Sequence, residues 1–321
     1  MQEFIIVLIV AVTIFLAALV FVSWLLFSLA CAKKIPRIMA PLMDGLIGDF
    51  ELGELDMVVE GRAFYNSTPR ETWRTTSHDG LSLFAQFIPC ENARGTIILF
   101  HGYRSNSLHD FSGVLTYYHS LGLNILMCDH RAHGESEGKY ITFGVLERYD
   151  ALAWIEEHNK RIGKDTPVLL DGISMGGATV VYAAGLELPE NVVGLMDDCG
   201  YASPKDQIIY VMGLMKIPVF PFYYIANSFC RLLAGFSFSD VDGRVEISKT
   251  KLPCMFIHGE ADDFVPCGMG RQCHDACTSK KKIFICKGAG HGMSYITETE
   301  KCKKFLREFL DEVLSDKRKK V

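Results

Sequence analysis

The sequence predicts an α/β fold in which a mostly parallel β-sheet is covered by helices on both faces. From residue 95 onward, short and continuously apolar segments of strand length alternate with longer segments of helical character. Strands that are apolar along their whole length are typical of parallel sheets buried on both sides. A hairpin pattern precedes this region, and an uncharged apolar stretch of membrane-spanning length precedes the hairpin.

The first segment, residues 4–32, is almost entirely apolar. As a helix it would be about 43 Å long, more than the roughly 30 Å of a bilayer's hydrocarbon core. Basic residues follow it at once: Lys33, Lys34 and Arg37. Because the N-terminal side carries only Glu3 and the amino group, the positive-inside rule predicts that the rest of the chain faces the cytoplasm.

A cleaved signal peptide is the alternative interpretation of this segment, since Ala30-Cys31-Ala32 resembles a cleavage site. The apolar stretch is too long for a signal peptide, and no positively charged region precedes it. We therefore assign residues 1–37 to an uncleaved, single-pass transmembrane anchor.

Composition narrows the class of function. The chain has 321 residues and a formal net charge of −5, with no long basic stripe, so nucleic acid is not an expected partner. The 11 cysteines are an odd number and form no CxxC pair, and several fall in apparent core strands, which indicates a reducing compartment. Cys273, His274 and Cys277 could share a helical face. No partner cluster completes a four-ligand set, so no metal is expected.

The remaining elements follow in order after a mixed linker, residues 38–70. The predicted strands are 72–77, 81–87, 96–100, 124–128, 167–170, 192–196, 253–257 and 282–286. Asp79-Gly80 is a hairpin turn signal between the first two strands. Helices are predicted at 107–120, at 142–160 and after residue 177, and the final helix is predicted to open with a capping box, Thr297-x-x-Glu300. We assign residues 71–321 to one domain.

A strongly apolar segment, residues 205–236, interrupts the alternation of strands and helices. Lys216, Pro218, Pro221 and Arg231 lie within it, which argues against a second membrane span. We interpret residues 204–240, approximately, as a helical lid over the carboxyl edge of the sheet. An ordinary pair of core helices is the alternative.

The chemistry is organised around residues 167–184. An apolar strand leads into Gly172-Ile173-Ser174-Met175-Gly176, and a helical segment follows. This strand–turn–helix context is that of a nucleophile elbow, in which glycines on either side of the serine leave room for a sharp turn. We predict that Ser174 is the nucleophile.

Other strand ends supply the remaining groups, because chemistry in open α/β sheets lies beyond the carboxyl ends of strands. The strand ending at Phe100 is followed by His101-Gly102-Tyr103, and the glycine allows the Tyr103 N–H to turn toward the site. Tyr103 and Met175 are the predicted oxyanion donors. Asp262 and His291 follow the last two strands, in the order that α/β-hydrolases use.

Taken together, residues 72–315 resemble the α/β-hydrolase superfamily, in its serine-aminopeptidase-like and esterase-like branch. They also resemble N-terminally anchored bacterial members of unassigned substrate. The matching motifs are His101-Gly102, 129–136, 172–177, 258–266 and Gly290-His291-Gly292. The resemblance implies a Ser–His–Asp triad, no cofactor and an eight-stranded sheet with a cap. Ala132 departs from the pattern, since the loop usually has glycine there, which puts only the local turn in question.

Rival residues remain at several positions. Asp263 is an alternative acid, but the family pattern places the working carboxylate three residues after the glycine of His258-Gly259, which selects Asp262. Other polar residues at strand ends are expected to order loops rather than react: His101, His133, His258, Asp129, Asp197 and Asp198. Cys199 is expected to be a packing residue.

These observations predict a membrane-tethered serine hydrolase that cleaves an ester, thioester or amide through an acyl-enzyme. The apolar lid favours a hydrophobic or acyl small-molecule substrate. Three alternatives remain open: a serine aminopeptidase using Glu260 or Asp263 to hold an amine, a cofactor-free perhydrolase, and a non-catalytic binding module. The sequence does not specify an oligomeric state.

Overall fold

The computed structural model describes residues 1–35 and 55–316. Its sheet has eight strands in the order β1-β2-β4-β3-β5-β6-β7-β8. The strands are β1 (Glu71–Thr76), β2 (Ser82–Ile88), β3 (Gly95–Phe100), β4 (Leu123–Cys128), β5 (Val168–Ile173), β6 (Val192–Asp198), β7 (Cys254–Gly259) and β8 (Lys281–Cys286). Strand β2 pairs antiparallel with β1 and β4, and the remaining pairs are parallel. The predicted mostly parallel sheet is confirmed.

Helices cover both faces of this sheet. They are α1 (Gln2–Cys31), α2 (Asp56–Ser67), α3 (Ser107–Ser120), α4 (Glu147–Arg161), α5 (Met175–Ala183), α6 (Pro204–Leu214), α7 (Phe222–Phe229), α8 (Gly243–Lys249), α9 (Cys267–Ala276), α10 (Ser294–Thr297) and α11 (Thr299–Asp316), with a π-helical turn at Cys230–Ala234. Successive side chains of a strand point to opposite faces. Ile97 and Leu99 of β3 accordingly pack in a core with α3 and α11, whereas Ile98 and Phe100 pack in a second core with α4 and α5.

Within the described residues, α1 is the one helix long and apolar enough to cross a membrane. Most of its apolar side chains between Phe4 and Trp24 are exposed, but Phe27, Leu29 and Cys31 near its end are buried against the domain. The chain leaving α1 then forms a β-bridge between Ala32 and Tyr140. The end of the apolar segment is therefore part of the folded domain. Arg37 and residues 38–54 of the predicted linker lie outside the described residues, and α2 occupies most of its remainder.

Two predicted helix starts are wrong. The helix predicted from residue 142 begins at Glu147 instead, because Phe143 and Gly144 adopt φ angles of 54° and 85°. The Glu147 carboxylate accepts N–H hydrogen bonds from Thr142 and Gly144, and it thereby stabilises the turn that replaces the first helical residues.

The predicted capping box at the final helix does not form. Thr297 is the last residue of α10, and the final helix, α11, begins at Thr299. The Glu300 carboxylate pairs with the Lys303 ammonium at 3.1 Å. The Thr297-x-x-Glu300 pattern therefore spans the junction between two helices and does not mark a helix start.

Candidate active site

The sharp turn at Ser174 follows directly from the glycines around it. Strand β5 ends at Ile173, helix α5 begins at Met175, and Ser174 between them has φ 57° and ψ −115°, a conformation that a non-glycine residue rarely adopts. A Cβ on Gly172 would collide with the backbone of Gly176, and one on Gly176 would collide with the Phe100 carbonyl. The elbow thus forms only with glycine at both positions.

The three predicted catalytic side chains meet at this elbow. His291 Nε2 lies 2.9 Å from Ser174 Oγ, and His291 Nδ1 lies 2.7 Å from Asp262 Oδ2. All three residues are buried, with exposed fractions of 6%, 8% and 7% for Ser174, His291 and Asp262. The distances are those of a continuous hydrogen-bond chain from carboxylate to hydroxyl.

Asp262 is held as a carboxylate. Its Oδ1 accepts N–H hydrogen bonds from Phe264 at 3.0 Å and from Val265 at 2.8 Å. Burial alone would raise the pKa of Asp262, but hydrogen bonds from His258 and His291 outweigh it and lower the pKa to about 2. Asp262 is therefore ionised throughout the neutral range.

The rival acids lie elsewhere. Asp263 is exposed, and its backbone carbonyl accepts the Tyr210 hydroxyl at 3.0 Å. Glu260 is also exposed. Cys199 is buried, with its sulfur within 4.8 Å of ligand atoms of Asp262 and His291. Burial, together with the nearby carboxylates of Asp198 and Asp262, raises the pKa of the Cys199 thiol well above its usual range, which disfavours a thiolate nucleophile.

The three residues Cys273, His274 and Cys277, which could have shared a helical face, do not converge. His274 Nδ1 lies 2.9 Å from Asp275 Oδ1, while Cys273 is buried on α9. The Cys277 sulfur lies 3.3 Å from the Ser279 hydroxyl. Across residues 1–35 and 55–316, Cys273, His274 and Cys277 do not bring three ligand atoms together.

The loop carrying Tyr103 lies beside the elbow. A Cβ placed on Gly102 would stand 3.4 Å from Ser174 Cβ, in van der Waals contact. The Gly102 N–H donates to Asp110 Oδ2 at 2.6 Å, and Ser105 and His109 also hydrogen-bond to the Asp110 carboxylate. Asp110 therefore fixes this loop from the first turn of α3, a role that the sequence analysis missed.

The alternative bases hold the same loops. His133 Nε2 accepts the Arg104 N–H at 3.1 Å, and His101 Nε2 accepts the His130 N–H at 3.2 Å. Burial lowers the pKa of His101 and lowers the pKa of His133 well below its usual range. As neutral imidazoles, His101 and His133 order the backbone of these loops by accepting its N–H groups.

His258 supports the acid loop instead. Its Nε2 lies 2.8 Å from the Val265 carbonyl and 3.3 Å from Asp262 Oδ2. Burial alone would lower the pKa of His258, but the hydrogen bonds to Asp262 and to Val265 raise it. Two of the other strand-end carboxylates order loops as expected: Asp129 Oδ2 accepts the Glu135 N–H, and Asp197 Oδ1 accepts the Gly200 N–H. The expectation is wrong for Asp198, whose buried Oδ1 has no hydrogen-bond partner among the described residues.

The end of α1 also contacts the Tyr103 loop. The Tyr103 hydroxyl donates to the Ala30 carbonyl at 2.8 Å. Arg104 donates from Nη2 to the carbonyls of Leu29 and Ala32 at 2.9 and 2.8 Å, and from Nε to the Tyr103 hydroxyl oxygen at 2.8 Å. The last carbonyls of a helix lack partners within it, so a guanidinium satisfies both their hydrogen bonding and their partial negative charge. No local sequence signal indicates this contact.

A narrow cavity of about 100 Å³ opens at Ser174. Its wall comes from the end of α1, from α6 and α7, and from single residues around the elbow such as Phe143 and Phe264. The lining residues among the described part of the chain are apolar or uncharged, with Gln207 and three tyrosines as the polar members besides Ser174. The space next to the serine is therefore suited to hydrocarbon.

Beneath the elbow, Asp171 is buried in an environment that favours its protonated form. Its carboxylate accepts the Tyr118 hydroxyl at 2.7 Å. Burial raises the pKa of Asp171 to about 7, and the neighbouring Asp197 adds to this effect. Asp198 behaves in the same way, with a pKa raised to about 8 by burial and then by the Asp171 charge.

This environment predicts a pH-dependent stability. Because the folded-state pKa of Asp171 exceeds the unfolded value near 4, its contribution to stability is complete below pH 4 and is lost as the pH rises through about 7. Asn cannot ionise and still accepts the Tyr118 hydroxyl. Asp171→Asn is therefore expected to raise the melting temperature relative to wild type by at least about 3 °C at pH 9 and by much less at pH 5.

Melting temperatures measured by differential scanning fluorimetry across this pH range check the prediction. Asp165→Asn, at an exposed position, is the matched control and should show no such trend. A difference between Asp171→Asn and wild type that is constant with pH would contradict the prediction.

Known proteins resemble this chain in sequence and in fold. The family model "Serine aminopeptidase, S33" matches residues 91–217, which include the Tyr103 loop and the Ser174 elbow. The uncharacterized protein YqkD of Bacillus subtilis is 30% identical over 220 residues, covering 67% of this chain and 71% of YqkD. The Pyrococcus furiosus esterase Pf2001 superposes with a TM-score of 0.64 at 21% identity, covering 77% of this chain and 92% of the esterase. A Pyrococcus horikoshii acylaminoacyl peptidase superposes with a TM-score of 0.59 at 17% identity, covering 79% of this chain and 43% of the peptidase.

The eight-stranded sheet, the strand–turn–helix at Ser174 and these matches define the class of protein as a hydrolase of α/β architecture. The chain belongs to the α/β-hydrolase superfamily. The predicted resemblance and fold are thereby confirmed. Ala132, the departure from the family pattern, has a φ of 59°, which explains why glycine is usual at this turn.

Proposed function

We propose that this hydrolase cleaves carboxylic esters of hydrophobic acyl groups through a covalent acyl-enzyme. The observation that carries the proposal is the hydrogen-bond chain from Asp262 through His291 to Ser174, which ends at an apolar cavity. A nucleophile, a base and a group that orients the base are the elements that acyl transfer requires.

In the proposed reaction the Ser174 hydroxyl attacks the carbonyl carbon while His291 Nε2 takes its proton. Asp262 holds the proton on Nδ1 and stabilises the imidazolium. The backbone N–H groups of Tyr103 and Met175 donate to the oxyanion. His291 then gives its proton to the departing alcohol, and water releases the acid from Ser174 by the same steps. A thioester or an activated amide of the same acyl group would follow the same route.

The cavity supports an acyl ester over a peptide with a free amino terminus. Holding a protonated amine requires a carboxylate near the reacting carbonyl. Among the described residues that line the cavity none is acidic, and the candidates Glu260 and Asp263 are exposed outside it. An amine entering this space would be desolvated without a partner, at a cost of several kcal/mol.

The helices α6 and α7 and the π-helical turn act as the lid in this proposal, since α6 and α7 cover Ser174 with apolar side chains. Helix α1 acts as the membrane anchor, and the domain faces the cytoplasm. Lys33 and Lys34 at the end of the apolar helix support that orientation.

A fluorophosphonate probe and an ester series test this function together. The probe is expected to form one adduct, mapped by mass spectrometry to the peptide that contains Ser174. p-Nitrophenyl esters from acetate to palmitate are expected to show a higher kcat/KM as the acyl chain lengthens, whereas aminoacyl p-nitroanilides are hydrolysed far more slowly. Heat-denatured protein is the control for labelling.

An adduct on another residue would contradict the assignment of Ser174. Faster hydrolysis of aminoacyl anilides than of any ester would favour the aminopeptidase. A profile restricted to acetate would contradict a hydrophobic acyl substrate.

A further inference from the structure

The end of α1 forms part of the wall around Ser174. Leu26, Phe27, Leu29 and Ala30 line the same cavity as the serine, opposite residues of α6 and α7. Phe27 is only 2% exposed. A helix whose first twenty residues are mostly exposed and mostly apolar thus contributes directly to the space in which the acyl group is proposed to lie.

A second apolar space lies farther toward the start of the same helix. This groove, of about 600 Å³, runs between α1 and Phe229 at the end of α7. Its lining on α1 is Thr13, Leu16, Ala17, Val20, Phe21 and Trp24. On a membrane-spanning helix these positions face hydrocarbon, so the groove is accessible to a molecule that resides in the bilayer.

One aromatic pair stands between the two spaces. Phe27 lines the Ser174 cavity, Phe229 lines the groove, and their ring centroids are 6.0 Å apart. Immediately below, the sulfurs of Cys31 and Cys230 are 3.8 Å apart and buried, which keeps α1 and the π-helical turn in contact. The cavity and the groove therefore approach each other at this aromatic pair.

The α7 side of this groove also suits a membrane surface. Phe220 is exposed just before α7, Tyr224 is exposed on α7, and Leu232 and Leu233 are exposed on the π-helical turn. A patch of exposed aromatic and aliphatic side chains is typical of a surface that contacts a membrane or a partner. They belong to the segment that includes α7, the helix that packs against α1.

We propose that α1 is part of the substrate site and that a bilayer lipid bearing a fatty-acyl ester reaches Ser174 laterally. Its acyl chain passes along the groove between α1 and α7 and then between Phe27 and Phe229 into the cavity. This proposal rests on the proposed esterase function and identifies its substrate class. A lipid is favoured over a water-soluble ester because the groove opens along the part of α1 that would lie within the membrane.

The test uses the full-length protein reconstituted in phosphatidylcholine vesicles. Two substrates are compared: monopalmitoylglycerol within the bilayer and p-nitrophenyl butyrate in the water. Phe229→Trp enlarges the ring that flanks the passage, so hydrolysis of monopalmitoylglycerol is expected to fall at least about tenfold. Hydrolysis of the butyrate ester should remain within about twofold of wild type, because that ester needs no passage along the groove.

Two further variants keep the test decisive. Phe305→Trp makes the same change at a partly exposed residue of α11, which packs with the core on the other face of the sheet and lines neither space, and both rates should remain near those of wild type. Phe229→Ala removes the ring and is expected to raise monopalmitoylglycerol hydrolysis relative to butyrate hydrolysis, provided that circular dichroism shows a folded protein. A folded Phe229→Trp or Phe229→Ala variant with equal changes in both rates would overturn the lateral route.

The outcomes also separate this proposal from the function on which it rests. Wild-type protein that hydrolyses neither ester would overturn the esterase function, and the lateral route with it. Normal butyrate hydrolysis together with lipid hydrolysis that is insensitive to Phe229 would overturn the lateral route alone. Faster cleavage of a vesicle-bound S-palmitoyl peptide than of monopalmitoylglycerol would replace the lipid by an acylated protein as the substrate.

Discussion

Replacing Asp262 by asparagine is expected to lower kcat/KM for ester hydrolysis by about 10³–10⁴-fold while the fold is retained. The reason lies in the hydrogen bonds around the side chain. Oδ1 accepts two backbone N–H groups, from Phe264 and Val265, so the amide oxygen of asparagine would remain there. The NH₂ group would then face His291 Nδ1 in place of Oδ2. His291 Nδ1 would then accept a hydrogen bond from this NH₂ group, and the imidazole proton would reside on Nε2. Because Nε2 would already carry a proton, it could no longer receive the proton of the Ser174 hydroxyl.

Steady-state kinetics with a p-nitrophenyl ester over pH 5–9 measure this effect. Asp263→Asn is the matched control, because it neutralises the adjacent carboxylate, which is exposed; its kcat/KM should stay within about twofold of wild type. A larger loss of kcat/KM in Asp263→Asn than in Asp262→Asn would show that Asp263, and not Asp262, orients His291. Similar wild-type-like rates in both would show that no carboxylate orients His291.

The elbow was predictable from sequence because its causes are local. The close backbone approach at Gly172 and Gly176 requires glycine whatever the rest of the chain does, and the flanking strand and helix follow from short apolar patterns. Asp262 and His291 were predictable because parallel strands place their carboxyl ends at one edge of the sheet. The structure brings all three predicted side chains into one hydrogen-bond chain.

The contacts of α1 with the domain could not be predicted in the same way. Its uniform apolarity indicates a membrane segment, and that signal is equally strong for the exposed residues and for Phe27, which is buried in the domain. Arg104 has no sequence neighbour that identifies its partners, since the carbonyls of Leu29 and Ala32 lie more than seventy positions earlier in the chain. Glu147 likewise resembled a residue inside a helix, because an apolar pattern does not show that its carboxylate accepts the N–H groups of Thr142 and Gly144 and so stabilises the left-handed turn at Phe143.

Arg104→Ala is expected to lower kcat by about 10²-fold with little change in KM, because a small displacement of a catalytic donor is enough for a loss of this size. Arg104 follows Tyr103, whose N–H is the proposed oxyanion donor. Its guanidinium joins the Tyr103 hydroxyl to the carbonyls of Leu29 and Ala32. Without it, the hydrogen bond from the Tyr103 hydroxyl to the Ala30 carbonyl is left to hold the loop to the end of α1, while the acyl cavity keeps its apolar walls.

Binding of a trifluoromethyl ketone analogue distinguishes this positioning role from a general loss of structure. The analogue forms an oxyanion, so its inhibition constant should rise by about the same factor as kcat falls, whereas a ground-state fatty alcohol should bind as before. Arg104→Lys retains the charge but cannot bridge two carbonyls and a hydroxyl, so it should give an intermediate loss. Arg94→Ala, which removes an arginine paired with Asp311, is the matched control and should leave both constants unchanged. A lower kcat in Arg104→Ala with unaltered affinity for the trifluoromethyl ketone would show that Arg104 does not act through the oxyanion donors.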